Sequence, residues 1–361
     1  MLLTKEQHDL ALKNSEFILL KLAEAKPGDN IVMLGDTDSY EYSYLFAECA
    51  RKLGMNICII DVGMYGGEEK YTKLPIMEPV KQAVLNADIT FMVTPQIQTG
   101  FDYFIGSKKE ADASLAGKGS RKRFTLEIGG LDKWHLDEEK IMMNRRRAVA
   151  LYNWLKRADE VHVTTEKGTD LYVKVGSAPD GMYPVMGIIP FYSEVAIVPS
   201  YHSVHGVVVA DGASERAYNQ HGFPIRPNLT GQCELWMEPL RMEYEDSYLV
   251  RYSGNPIQVA RLDRLMQDID PKPEICDELG IVTTSSPENN IYGWKEDHSH
   301  SIGCVHVAIG NNHQRGEIIH STEHIDFDIN HPVVSVDGQV IIHDGIFEDE
   351  LILKMGEDPN A

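Results

Sequence analysis

Apolar positions along the first 150 residues change period repeatedly. Over 5–25 they recur at helical spacing, with Ala11, Ile18 and Leu22 on one face and Leu10 and Phe17 beside them. Residues 29–34 form a short apolar run of the kind a buried strand shows. Gly35-Asp36-Thr37-Asp38-Ser39 is a turn and helix-capping sequence, and 41–53 reads as a helix ended by Gly54. Further strands are expected at 56–60, 89–93 and 123–128, with helices at 78–87 and 137–157. Strand and helix in alternation predict a parallel sheet covered by helices.

Near residue 160 the pattern shifts to short β-type runs separated by Gly, Pro and Asp, at 160–165, 170–175, 194–199, 206–210, 247–252, 303–309, 324–329 and 333–343. One helix, 256–269, interrupts them. The expected fold class is therefore α/β in two parts. Residues 1–158 form a doubly wound parallel-sheet domain, and 159–361 a mainly antiparallel α+β domain that carries a metal site. The weakly patterned loop 101–122 is expected to be the most mobile segment.

Charge narrows the partners. Lys and Arg number 34 and Asp and Glu 55 in the 361 residues, a formal net charge of -21. Such a surface repels phosphate backbones and anionic lipid, so neither nucleic acid nor membrane is an expected partner. No apolar run approaches the ~20 residues that span a bilayer. The first residues lack a charged region, a long apolar stretch and a cleavage site, so a cytoplasmic protein is expected. The 5 cysteines are odd in number and form no CxxC, which argues against a disulfide framework or a zinc ribbon. Cys304, two residues before His306, is read as a packed thiol. Arg145-Arg146-Arg147 is read as a salt-bridged or subunit-contacting helix face. No GxSxG, P-loop, GxGxxG or HExxH occurs.

The candidate chemistry lies in the second half. In Glu323-His324-Ile325-Asp326-Phe327-Asp328, His324 and Asp326 are two apart, so on a strand they share a face. His306 stands in the apolar run Val305-His306-Val307-Ala308-Ile309, Glu278 in Asp277-Glu278-Leu279-Gly280, and Glu194 before Val195. Imidazole and carboxylate together suit Zn, Mn, Co or Fe. Each of these residues alone has an ordinary structural reading, as an exposed or hydrogen-bonded strand side chain. Asp328 shares the face of Asp326 and is a candidate to orient a ligand. His298 and His300 are read as loop residues.

As an ordered set, Glu194, Glu278-Leu279-Gly280, His306-Val307-Ala308-Ile309-Gly310 and His324-Ile325-Asp326-Phe327 resemble the thermophilic aminopeptidase family of metallopeptidases, the aminopeptidase T and aminopeptidase S enzymes. Ser203-Val204-His205-Gly206-Val207 and Val334-Ser335-Val336-Asp337-Gly338 extend the likeness over about 190–345. The resemblance implies two divalent ions (Zn, Co or Mn) held by Glu194, Glu278, His306, His324 and Asp326. It also implies hydrolysis of an amide or peptide C–N bond in a small molecule or short peptide, and a homodimer. The family's peptidases carry a tyrosine seven residues after the middle histidine. Here that position is His313, the candidate proton donor or extra ligand. The fold is shared with 2,5-dihydroxypyridine dioxygenase, which makes a mononuclear Fe(II) ring-cleaving enzyme the alternative. With Glu278 beside His324 and Asp326, the set has one histidine and two carboxylates, whereas that chemistry ordinarily uses two histidines and one carboxylate.

Overall fold

The structure, a computed structural model, describes residues 3–35, 39–61, 78–93, 122–126, 130–175, 182–186, 188–190, 192–199, 202–216, 234–235, 239–268, 275–284, 303–310 and 324–357. Contacts divide the chain into two units. One comprises residues 1–138, 187–192 and 221–230, the other 139–186, 193–220 and 231–361.

The first unit holds a parallel sheet of β1 (Asn30–Gly35), β2 (Asn56–Asp61), β3 (Ile89–Met92), β4 (Lys122–Leu126) and, from much later in the chain, β8 (Ile188–Ile189). Their order is β2-β1-β3-β4-β8. This is the doubly wound order in which the chain reverses direction of travel across the sheet between β1 and β3. The central strands β1 and β3 read as continuous apolar runs because they are covered, with Ile31, Met33, Leu34, Phe91 and Met92 buried, whereas the edge strand β2 is only partly covered. Helix α1 (Lys5–Phe17) starts at Thr4, whose hydroxyl accepts from Gln7 N while the Gln7 side chain accepts from Thr4 N. The helix expected over 5–25 ends instead in a π-helical turn, Ile18–Leu22. Helices α2 (Tyr40–Lys52) and α3 (Glu78–Asn86) fall close to their expected limits. Phe46 of α2 meets Phe91 edge-on, with ring centroids 5.1 Å apart.

The second unit begins at the second residue of α4 (Glu138–Leu155) and contains two largely antiparallel sheets. The first uses β5 (Glu160–Thr164), β6 (Asp170–Lys174), β10 (Val204–Ala210), β13 (Leu240–Glu245), β14 (Tyr248–Ser253), β18 (Val333–Val336), β19 (Gln339–His343) and β20 (Ile346–Phe347). The second uses β7 (Met182–Val185), β9 (Glu194–Ile197), β11 (Ala213–Arg216), β12 (Glu234–Leu235), β15 (Cys276–Val282), β16 (Val305–Gly310) and β17 (His324–Ile329), in the order β12-β11-β17-β16-β15-β9-β7. Inward side chains of both sheets share one apolar cluster with Leu151, Trp154 and Leu155 of α4. Helix α5 (Pro256–Asp268) matches the expected helix, while α6 (Asp349–Glu357) is additional to it. Gly356 lets α6 approach α4 closely: a Cβ there would lie 2.0 Å from the Ala150 carbonyl oxygen. The 333–343 run is a hairpin, turned at Asp337 and Gly338, both with positive φ. Among the described residues no helix is long and apolar enough to cross a membrane.

Candidate metal centre

The second sheet sorts its side chains by face. Antiparallel pairing sets Glu194 opposite Val282, Gly280 opposite His306, Glu278 opposite Ala308, Ala308 opposite Asp326 and His306 opposite Asp328. Directly paired residues project to the same side, and the next residue along each strand projects to the other. One face therefore collects Glu194, Glu278, His306, Asp326 and Asp328, spaced by Gly280 and Ala308. The other face carries Val195, Ile197, Leu279, Ile281, Val305, Val307, Ile309, Ile325, Phe327 and Ile329, all in the apolar cluster. Ten apolar neighbours on the opposite face lock the register that gathers these five polar groups on one side.

These groups are deeply buried. Relative exposure is 4% for Glu194, 1% for Glu278, 2% for His306, 5% for Asp326 and 0% for Asp328. Ligand-type atoms of Glu194, Glu278 and His306 all lie within 4.8 Å of one another. His306 Nε2 is 3.6 Å from Glu194 Oε2 and 4.0 Å from Glu278 Oε1. Both distances exceed the 2.7–3.2 Å of a hydrogen bond. They match donors around a shared cation instead: bonds of about 2.1 Å at angles from 90° to 180° set two donors roughly 3.0–4.2 Å apart. The donor set also fits, with carboxylate oxygen and imidazole nitrogen facing one point.

Two local features aim the ligands. The imidazole of His306 lies directly over Gly280, where a Cβ would sit 2.0 Å from Cε1 and 2.1 Å from Nε2. Gly280 is thus the bed on which the ring rests, and only a residue without a side chain fits there. The β15–β16 register shifts between Cys276 and Glu278, leaving Asp277 as the extra residue of a bulge. That bulge keeps Cys276 on the apolar face while Glu278 turns to the ligand face. Burial and the Asp277 carboxylate push the Cys276 thiol well above its ordinary pKa, so it stays a neutral, packed group.

Of the residues expected from sequence, Glu194, Glu278 and His306 are brought together, and Asp326 stands on the same face two strands from Glu278. His324 opens β17 opposite Gly310. His313, Glu323, His298 and His300 lie outside the described residues, as does nearly all of the 101–122 loop. Cys304 is buried, in keeping with its expected packing role. Arg146 and Arg147 are salt-bridged, to Glu357 and Asp349. The role of Gly280 as the seat of His306 goes beyond the ligands expected from the sequence. The Glu-x-Gly spacing carried that signal, since a glycine two residues from a ligand shares its face.

A buried β-sheet face that presents carboxylates and an imidazole defines the class of this unit as a candidate metal-binding fold. The architecture recurs in solved structures, the following two among them. The 2,5-dihydroxypyridine dioxygenase of Pseudomonas putida KT2440 superposes with a TM-score of 0.65 at 14% identity, covering 95% of this chain and 99% of that chain. Wild-type AmpT of Thermus thermophilus gives 0.62 at 16% identity, covering 94% and 99%. These likenesses establish the fold. No protein-family model matches the chain, and no curated protein does.

Proposed function

We propose that the protein is a metal-dependent hydrolase that cleaves an amide or peptide-type C–N bond in a small molecule or short peptide. The observation that carries the metal is the convergence of Glu194, Glu278 and His306 at donor-to-donor spacing on a buried face. Burying carboxylate groups is costly unless they are paired, and a divalent cation would offset that cost. Glu194, Glu278 and His306 would hold one ion, and Asp326 with His324 would complete a neighbouring position. Bound Zn, Co or Mn at such a centre polarises a carbonyl and lowers the pKa of an attached water towards neutrality.

The chain's own groups have distinct tasks. His306 must present the Nε2 lone pair, so its proton belongs on Nδ1. Gly280 and the apolar face beneath hold that ring in place. Glu278 stands on the strand between those of Glu194 and His306, from which its carboxylate would help to hold the ion. His313 is the candidate to protonate the leaving nitrogen. The fold is shared with an aminopeptidase and with a dioxygenase, and the carboxylate-rich donor set favours hydrolysis over ring cleavage. A homodimer belongs to the same reading through the family resemblance, and light scattering of the purified chain tests it.

Elemental analysis of protein purified without chelator, in air and anaerobically, tests the proposal. About two equivalents of Zn, Mn or Co, with turnover on a panel of amides and short peptides, is the expected result. One equivalent of iron, with oxygen uptake on hydroxypyridines, would replace the hydrolase by the iron dioxygenase.

A further inference from the structure

We infer that Arg147 is a positioning residue for the metal centre, holding Glu194 in place through Thr283 and Ser193. The inference rests on the metal reading of Glu194, Glu278 and His306. Arg147 lies on α4 and is 3% exposed. Its guanidinium forks onto the Asp349 carboxylate at the start of α6, with Nη2 donating to Oδ2 at 2.8 Å. Nη1 donates to Asn144 Oδ1 at 3.0 Å and to the Thr283 carbonyl at 2.7 Å. The Phe347 ring covers the guanidinium, 4.2 Å from its carbon.

The Thr283 carbonyl leads to the ligand. Thr283 follows Val282, the residue paired with Glu194. Its N–H donates to the Ser193 carbonyl at 2.9 Å and its hydroxyl to Ser193 Oγ at 2.9 Å. Thr284 adds a second clasp: its Oγ1 accepts from Ser193 N at 3.0 Å, and its N–H donates to the Ser193 carbonyl at 3.2 Å. Ser193 immediately precedes Glu194, the first residue of β9. Strand ends fray unless tied down, and a ligand must keep its place within a few tenths of an ångström. The clasp stops that fraying, and Arg147 holds the clasp to two helices. A lysine has the charge but not the fork, so it cannot serve Asp349 and Thr283 together.

The test measures Zn²⁺ affinity of the full chain by competition with a chromogenic chelator, alongside thermal unfolding. Three variants are compared with the natural protein: Arg147→Lys, Thr284→Val, which removes the hydroxyl of the second clasp while keeping its backbone N–H bond and Arg147, and Glu357→Gln. The last breaks the neighbouring Arg146–Glu357 pair between the same helices without touching Ser193. Zinc affinity is expected to fall about 10–100-fold in Arg147→Lys and Thr284→Val, the range for loss of groups that orient ligands. In Glu357→Gln it is expected to stay within about twofold of the natural protein, well below that range. Unchanged zinc affinity in folded Thr284→Val or Arg147→Lys overturns the inference while leaving the metal reading intact. A natural protein that binds no zinc, cobalt or manganese removes the metal reading and the inference with it. Should Arg147→Lys fail to fold, Asp349→Asn, which weakens the guanidinium fork while keeping Arg147 and the Ser193 clasp, decides by the same measurement: a loss of zinc affinity supports the inference and an unchanged affinity overturns it.

Discussion

Replacing Gly280 by alanine is the sharpest probe of how the sheet aims its ligands. The added Cβ would lie 2.0 Å from Cε1 and 2.1 Å from Nε2 of His306. Ordinary contact begins near 3.4 Å, so the imidazole must retreat by about 1.3 Å or the strands must part. Strand separation is resisted by Leu279 and Ile281 beneath and by paired strands on both sides, so the ring moves. Metal–ligand bonds tolerate shifts of about 0.2 Å. A displacement several times larger removes His306 from the donor set. The expected outcome is a loss of Zn²⁺ affinity of about 10²-fold or more, close to 2.7 kcal/mol. The cost to folding of the crowded methyl should be of the order of 1–3 kcal/mol. Isothermal titration with Zn²⁺ and thermal unfolding of the metal-free protein measure the two separately. A folded Gly280→Ala variant that binds zinc as tightly as the natural protein would refute the placement of His306 as a ligand seated on Gly280.

Further tests are direct. Glu278→Gln and His306→Ala should each abolish tight zinc binding with circular dichroism unchanged, and retention of zinc in either would exclude that residue. Asp326→Asn should lower the metal content from two equivalents to one, whereas two equivalents in that variant would remove Asp326 from the set. Iodoacetamide at neutral pH should label Cys58, which is exposed, and spare Cys49, Cys276 and Cys304, which are buried. Burial pushes the Cys49 thiol up to about 11, so its labelling in the native state should wait for strongly alkaline solution, and mass spectrometry of the labelled peptides reads this out. The Arg146 guanidinium holds the Glu357 carboxyl below its ordinary pKa. A depressed carboxyl stabilises the fold above its unfolded-state pKa and loses that contribution as pH falls through the folded value. Glu357→Gln and the natural protein should therefore differ in melting temperature at neutral pH and converge in acid, and a constant gap down to acid pH would show that the pair is not the cause.

The sequence by itself determined the chemistry of the candidate site and much of the strand pattern around it. Alternation in Val305–Gly310 and His324–Ile329 already separated an apolar face from a ligand face, because side-chain direction along a strand depends only on neighbours in the chain. The β–α alternation of the first residues likewise named the parallel sheet. Other elements were hidden. Cys276–Val282 carries two adjacent acids, Asp277 and Glu278, which mask its strand character until the bulge is seen. Leu240–Glu245 has outward charges at every second position and reads as polar, and β8 joins the parallel sheet from some sixty residues beyond β4. Only the tertiary structure decided that His306 rests on Gly280, that Glu194 stands opposite Val282, and that Arg147 ties Thr283 to Asp349. Those are choices of register and docking between segments separated by as many as two hundred positions. They are settled by which apolar faces close on one another, a property of the packed whole that no local pattern contains.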